Sequence, residues 1–468
     1  MTEGSVALSI TIKIEDVVME MAEELPVEAL EDAIQSVAVG VGRQVLSGAI
    51  QVLDDRMARE VPAGWRNVGT EGRWMVSSVG AVHYKRRVYQ DEEQRRWKPV
   101  DELFALGRYG RMSGRVRELG SSLASRQTYR VAADQLSYLT KTPISHTAVQ
   151  RMAWAVGNRI ADGEEAERTR MFEQGEEHAG GQILAPVLYG ESDGVWVHLQ
   201  REAKRSLEVR VAILSTGRAP VGKDRYRLEN KQVVTAMGME GESWQEAILR
   251  EAHLTYDLSQ TQMLIWGGDG SAWVRHSFDR LDLPGQFVLD RFHLQRAARR
   301  AYPDRGEARK VVSRLRQEGF PAVAPKLSQD IRHARNERRR RLLDFYQYVS
   351  DNQDGLLDLE YRACPFPSCL GAMEGNVDKL VVHRMKGRGC SWRLLGVRAM
   401  LALCRHADPL RAQAYRYLPL QTPPRTYHTR QVLEVQYLET AQADIPAFRG
   451  PYQNHPWVRK LHRLIYGR

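Results

Sequence analysis

The sequence predicts a mixed α/β protein, helical over its first third and built of alternating strands and helices beyond it. Three observations lead there. Apolar residues recur at three- and four-residue steps up to Arg159, near-alternation in that part is confined to one stretch around Gly80, and from Gln182 strand-like runs alternate with helical ones. A chain of 468 residues holds about two to four domains of roughly 100–200 residues each. With 43% hydrophobic and 27% charged residues and a mean hydropathy of -0.48, the composition is globular and argues against a disordered or membrane-embedded chain. The nearest approach to a long apolar run, Ala33 to Leu53, is interrupted by Gln35, Arg43 and Gln44, and the start MTEGSVALS lacks the basic and apolar regions of a signal peptide. The expectation is a soluble cytoplasmic protein with no membrane partner. The four cysteines, Cys364, Cys369, Cys390 and Cys404, are too few to staple such a fold and suit a reducing compartment.

Residues 15–60 read as helix, with Val17, Val18, Met21, Leu25, Leu30, Ile34, Val37, Val41 and Val45 at helical spacing and an acidic face that points to solvent or a partner chain. Pro62-Ala-Gly breaks the pattern and closes a first region, residues 1–65. Arg73–Gln90 follows as a β-hairpin with Lys85, Arg86 and Arg87 on its second strand, inside a region spanning 66–110. Helices at Gly114–Ser125, Thr128–Thr140 and Ser145–Arg159 occupy a third region, 111–180. Ser145 supplies an N-cap, and Val149, Met152, Ala153 and Val156 share a face opposite His146, Thr147, Gln150 and Arg151. This fits a helix-turn-helix whose second helix would enter a DNA major groove, with Gln150 and Arg151 reading base edges; any small three-helix bundle gives the same pattern.

In residues 181–468 the order is strand Ile183–Gln200, strand Leu207–Leu214, strand Gln232–Met239, helix Ser243–Tyr256, strand Met263–Gly270, helix from Ala272, strand Phe287–Leu294, a basic helical segment at about 295–362, and a late helix from about Gly371 to Met385. That is the order of an RNase H-like α/β domain with a helical insertion before its last helix. Asp193 falls in the first strand, Asp269 at the end of the fourth, and Glu374 on the late helix. Hard oxygen ligands from separate elements can hold two Mg²⁺ (or Mn²⁺) ions for attack on a phosphodiester. Each acid has a plainer reading: Asp-Gly is a strong turn signal, and a helix dipole favours glutamate near a helix start. Asp378, one turn after Glu374, is the reserve candidate.

The charge distribution sharpens the question of partners. The chain carries 68 Lys/Arg against 58 Asp/Glu, a net +10; residues 1–60 hold four bases and twelve acids, whereas Arg291–Arg341 holds sixteen bases and five acids. A solvated helical face explains an isolated charge run, and a polyanion explains one that accompanies phosphate chemistry. Arg338, Arg339, Arg340 and Arg341 are its densest part. Cys364-Pro-Phe-Pro-Ser-Cys369 lacks the second ligand pair of a zinc site, and Trp196, Trp273 and Trp392 read as core rather than base-stacking residues.

The strings ESDGVWV, GGDGSAW, VLDRFHL and EGNVDKLVVHRMKGRGCSW, with GAVHYKRRVY and VDELFAL ahead of them, resemble the bacterial ISLre-type insertion-sequence transposases, relatives of the Mutator-like DDE transposases. The likeness spans most of the chain. It implies an RNase H-like catalytic domain whose triad falls on Asp193, Asp269 and Glu374, an amino-terminal DNA-binding region, and cleavage and strand transfer at element ends. Asp290-Arg-Phe-His293 is similar to the family's signature after the second acid, so that His293 would position a phosphate or an acid; a polar residue closing a strand is the plainer role. The stretch His383–Gly389, with Arg384, Lys386 and Arg388, would track DNA backbone as a flexible basic loop. The resemblance implies DNA partners, namely terminal inverted repeats and target DNA, a homodimer or higher oligomer, and association with the nucleoid. The rival readings are a stand-alone RNase H-like nuclease and a helix-turn-helix regulator with an inactive catalytic domain.

Overall fold

The computed structural model describes residues 27–406, apart from 105, 107–109, 177, 224, 239–240 and 363; the expected helical start at 15–26 lies outside the described residues. They fall into two compact units, one running through Val156 and the other from Gly157. Both mix helix and sheet.

The first unit opens with α1 (Val27–Met57), followed by the hairpin β1 (Arg66–Ser77) and β2 (Gly80–Gln90), the short β3 (Arg96–Trp97) and α2 (Pro99–Leu103). β1 and β2 pair antiparallel from Ser77 opposite Gly80 back to Arg66 opposite Gln90, so the hairpin starts earlier than the alternation from Arg73 predicts. Ile50, Met75, Val82, Tyr84, Val100 and Leu106 form its core. Residues Ala29–Met57 are long and apolar enough for a membrane span, with a mean hydropathy of 1.2. Here that helix lies on the hairpin instead: Arg43 Nε donates to Val79 O (3.0 Å), Ser47 Oγ donates to His83 O (2.8 Å), and Asp54 accepts from Arg87 (2.6 Å). Three further helices follow as expected, α3 (Gly114–Arg126), α4 (Tyr129–Thr140) and α5 (His146–Phe172). Ser113, Thr128 and Ser145 cap them, their side-chain oxygens accepting from Val116, Val131 and Ala148 N–H, a contribution of about 1 kcal/mol each. α5 runs thirteen residues beyond its expected end at Arg159, continuing through Asp162-Gly163 to Phe172.

The second unit is built on one sheet. β4 (Ile183–Leu184), β5 (Val187–His198), β6 (Ser206–Ser215), β7 (Gly217–Gly222), β8 (Arg225–Glu229) and β9 (Gln232–Met237) precede α6 (Gly241–Thr255), β10 (Tyr256–Asp257), β11 (Met263–Gly268), α7 (Ala272–Arg275) and β12 (Gly285–Leu289). Five strands form a sheet in the order β12-β11-β5-β6-β9, with β5, β11 and β12 parallel and β5-β6-β9 antiparallel. β11 and β12 are almost wholly apolar, as strands covered on both faces must be. β7 and β8 form a separate ribbon between β6 and β9 that the sequence pattern does not predict.

Four long helices, α8 (Arg291–Ala301), α9 (Arg305–Glu318), α10 (Phe320–His333) and α11 (Asn336–Asp351), with the short α12 (Gln353–Leu356), follow β12 where the basic insertion was expected. Each buries one stripe at three- and four-residue steps, for example Ala308, Val311, Val312 and Leu315 on α9, into the same core as Trp244 and Trp266. The strand expected over Phe287–Leu294 stops at Leu289, because Asp290 caps α8. The chain ends its described part with α13 (Met373–Val377), a π-helical continuation over Asp378–Lys386, and α14 (Leu394–Arg405). His383–Lys386 is therefore helix rather than flexible loop.

Candidate active site

Three parallel strands bring three carboxylates to one level. Ser192, Gly268 and Leu289 are register partners across β5, β11 and β12, and Asp193, Asp269 and Asp290 each follow by one residue. Asp290 N–H still donates to Gly268 O (2.7 Å), which carries the ladder up to that level. Asp193 Oδ1 accepts from Gly194 N–H (2.7 Å), Asp269 Oδ1 from Ser271 N–H (2.9 Å), and Asp290 Oδ1 from both the backbone N–H (2.9 Å) and the Nδ1–H (3.0 Å) of His293.

The local field follows from this crowding. Burial first, and then the charges of Asp269 and Asp290, push the Asp193 carboxyl above its ordinary value, against the opposing pull of Gly194 N–H and His293. Burial also pushes Asp290 upward, but the hydrogen bonds from His293 outweigh it and hold Asp290 below the ordinary value. The hydrogen bond to Asp290 raises His293, helped by the charges of Asp193 and Asp269 and opposed by burial. The charges of three acids thus bear on one histidine.

Two supports fix the cluster from behind. Trp266 Nε1–H donates to Ser192 Oγ (3.0 Å) and Trp244 Nε1–H to Ser277 Oγ (2.9 Å), locking the strand that carries Asp193. A β-carbon at Gly190 would come within 2.1 Å of the Trp266 ring, so glycine is required there. The Asp269-Gly270 turn is held by Tyr348 Oη–H, which donates to Asp269 O (2.9 Å), and by Asn352 packed against Gly270 at φ +85.

Glu191 lies two residues before Asp193 on the same face of β5. It is 6% exposed, and its carboxylate accepts from Gly371 N–H (2.8 Å) and Ala372 N–H (3.0 Å), seating the start of α13 on the sheet. Glu374, the second residue of that helix, is exposed, as is Asp378. Among the described residues no hydrogen bond or ion pair joins Glu374 to the other acids, and no three His, Cys, Asp or Glu side chains stand close enough to hold a metal ion. The strand register therefore gathers Asp193 and Asp269, and Glu374 is left on a neighbouring helix. Sequence reasoning missed Asp290 and Glu191 as site residues. Their signals are present: Asp290 opens an Asp-x-x-His cap, and Glu191 stands at the two-residue spacing that shares a strand face with Asp193.

The other expected residues divide sharply. Arg338, Arg339, Arg340 and Arg341 are all exposed at the start of α11, and Lys386 is exposed. Arg384 is instead buried, 5% exposed, with its guanidinium 4.9 Å from the Trp392 ring centre, so it supports the helix rather than tracking a backbone. The side chain of Arg388 lies outside the described residues. On α5, Arg151 is exposed and Gln150 half-buried, opposite the buried Val149, Met152 and Ala153. Of the hairpin cations, Arg86 is buried against Asp101 (2.9 Å) and Arg87 pairs with Asp54 and Asp55, which leaves Lys85 exposed. Trp273 and Trp392 pack inside as expected, whereas Trp196 is 56% exposed.

A family model described as "Uncharacterised protein family (UPF0236)" matches residues 20–408, most of the chain and all of this site. The chain belongs to the UPF0236 family. It is 25% identical over 390 residues to the UPF0236 protein in vanSb 3'region of Streptococcus gallolyticus, covering 80% of this chain and 81% of that one. A UPF0236 protein of Caldanaerobacter subterraneus subsp. tengcongensis, whose name joins eleven locus labels, is 21% identical over 380 residues, covering 78% of this chain and 74% of the relative. A second from that organism, named with four such labels, is 22% identical over the same length and coverage.

Proposed function

We propose that this UPF0236 protein is the DNA transposase of an insertion sequence, related to the ISLre type, with an RNase H-like catalytic domain and an amino-terminal DNA-binding region. The observation that carries the reading is the alignment of Asp193 and Asp269 at one level of adjacent parallel strands, in a sheet ordered β12-β11-β5-β6-β9. That order, parallel on one side of β5 and antiparallel on the other, is the one an RNase H-like domain requires. The relatives add support from another direction: one protein name joins eleven locus labels in a single organism, the multiplicity that a self-copying gene would produce.

Carboxylates are the hard oxygen donors that Mg²⁺ takes, and the strand register puts two of them, Asp193 and Asp269, at one level. Asp193 and Asp269 would hold Mg²⁺ or Mn²⁺, with Glu374 as the donor from the third element. Such ions activate an attacking hydroxyl and stabilise the leaving oxygen of a phosphodiester. The chain's own residues do the positioning. Glu191 seats the helix of Glu374, Tyr348 and Asn352 fix the turn of Asp269, and His293 orients Asp290. The exposed arginines of α11 bind backbone, and Gln150 and Arg151 on α5 read terminal repeats. Homo-oligomerisation, needed to bring two ends together, belongs to the same proposal.

The test is incubation of the purified full chain, with and without Mg²⁺, on duplexes carrying the inverted repeats that flank the gene. Metal-dependent nicking at the repeat boundary supports a transposase. Cleavage without end preference favours a stand-alone nuclease, and end binding without cleavage favours a regulator.

A further inference from the structure

The ribbon β7–β8 stands out as the most exposed part of the second unit. Residues 217–231 carry Arg218, Lys223, Arg225, Arg227 and Lys231 against Asp224 and Glu229, a net +3 in a short hairpin. Arg218, Lys223, Arg225 and Arg227 are exposed, as are Val221 (56%) and Tyr226 (60%). Some surface arginines of this unit find acids, as Arg314 does with Glu318 and Arg280 with Glu242. Among the described residues no carboxylate pairs with Lys223, Arg225 or Arg227, and Arg218 lies over the Tyr226 ring at 4.9 Å. Arg225 and Arg227 share one face of β8, with Tyr226 on the other. The ribbon's root is fixed close to the candidate site, where Lys231 Nζ donates to Asn376 Oδ1 (3.2 Å), two residues past Glu374.

We propose that the β7–β8 ribbon grips duplex DNA beside the bond presented to the carboxylates, its cations on the phosphates and Tyr226 at the groove wall. The inference rests on the transposase reading. A two-stranded ribbon fits the major groove of B-form DNA, and six residues of strand reach about 20 Å, enough to extend from the sheet edge along a duplex. Charge complementarity selects the occupant: four exposed cations on one short ribbon match a polyanion rather than an apolar surface. The rival use of edge cations is to block sheet-to-sheet aggregation, which requires no ligand.

Salt titration of the full chain on a fluorescent duplex separates the two. Replacing Lys223, Arg225 and Arg227 by Ala should lower the slope of log affinity against log salt by about 0.9 for each phosphate no longer neutralised, while Arg225→Lys with Arg227→Lys keeps it. All three side chains are exposed, so circular dichroism should be unchanged. An unaltered slope in the alanine variant, with wild type binding normally, overturns the ribbon proposal and leaves the transposase reading standing. Loss of binding to phosphatidylserine vesicles without loss of DNA affinity overturns it too. A wild type with no affinity for duplex DNA at any salt overturns both.

Discussion

At the scale of single residues, acids in this chain do opposite jobs according to what faces them. Asp193 and Asp269 stand beside another carboxylate at one level of the sheet, and in the proposed site a metal ion would neutralise them. Asp193→Ala, Asp269→Ala and Glu374→Ala should therefore each reduce cleavage of element-end DNA by orders of magnitude while end binding changes little, since affinity comes from phosphate contacts elsewhere. Retained cleavage in Glu374→Ala together with its loss in Asp378→Ala would move the third position one turn along the helix. Glu164 shows the other job. Its carboxylate is buried between Arg405 and His406, the latter at 2.8 Å. Burial pushes its pKa up, but Arg405 and the His406 hydrogen bond outweigh it and hold the group well below the usual carboxylate range. A depressed folded-state pKa means that this stabilisation is complete above the unfolded-state value of 4.5 and is lost as pH falls below it. Glu164→Gln, which leaves Arg405 buried without its charge partner, should lower stability at neutral pH by about 3–5 kcal/mol. It should also flatten the acid side of the stability profile in urea denaturation. A variant that unfolds in acid just as wild type does would remove Glu164 from that role.

Elements show which parts of the fold short-range pattern can specify. The caps Ser113, Thr128 and Ser145 and the apolar face Val149, Met152 and Ala153 are local signals, and α3, α4 and the start of α5 lie where those signals put them. Gln150 and Arg151 project from the face opposite that core, so replacing both by Ala should leave the helices folded and reduce the preference for terminal repeats over random duplex. About 1–3 kcal/mol of discrimination is expected to disappear with each base edge that is no longer read, as measured by competition binding. The carboxylate level was legible only in part. Asp193 and Asp269 announce themselves within strand-like strings, but which acids stand side by side depends on parallel register between segments some seventy residues apart. Asp290 illustrates the gap: as sequence it sits inside the strand-like run Phe287–Leu294, and only the Gly268–Leu289 pairing puts it beside the other two. The β7–β8 ribbon escaped because its strands are short: β7 is six residues with glycine at both ends and Pro220 inside, and β8 alternates over only five. Arg384 misled for a related reason, since a basic residue in a Gly-rich string carries no mark of the Trp392 ring that shelters it.

At the scale of the whole molecule, charge is separated along the chain: residues 1–60 are strongly acidic, and the excess of base is concentrated in the insertion between β12 and α13. Stability does not account for where those bases sit. Arg338, Arg339, Arg340 and Arg341 occupy the first two turns of α11, and the helix dipole disfavours the two in the first turn, Arg338 and Arg339, by about 0.3–1 kcal/mol apiece. Their acid neighbour Glu337 recovers little of that: its approaches to Arg340 (3.9 Å) and Arg341 (3.3 Å) are exposed ion pairs worth about 0.3–0.5 kcal/mol. In the proposed transposase a ligand would account for a cluster kept exposed where the fold gains nothing from it. If that ligand is DNA backbone, changing all four arginines to Ala should raise the thermal stability slightly, weaken binding equally on specific and random duplexes, and lower the salt slope by about 0.9 for each phosphate released. The two readouts move in opposite directions, which no general loss of folding can imitate. Salt titrations on both duplexes, paired with thermal melts, decide the matter. An unchanged slope with a raised melting temperature would mark α11 as a merely solvated face and return the grip on DNA to the ribbon and α5.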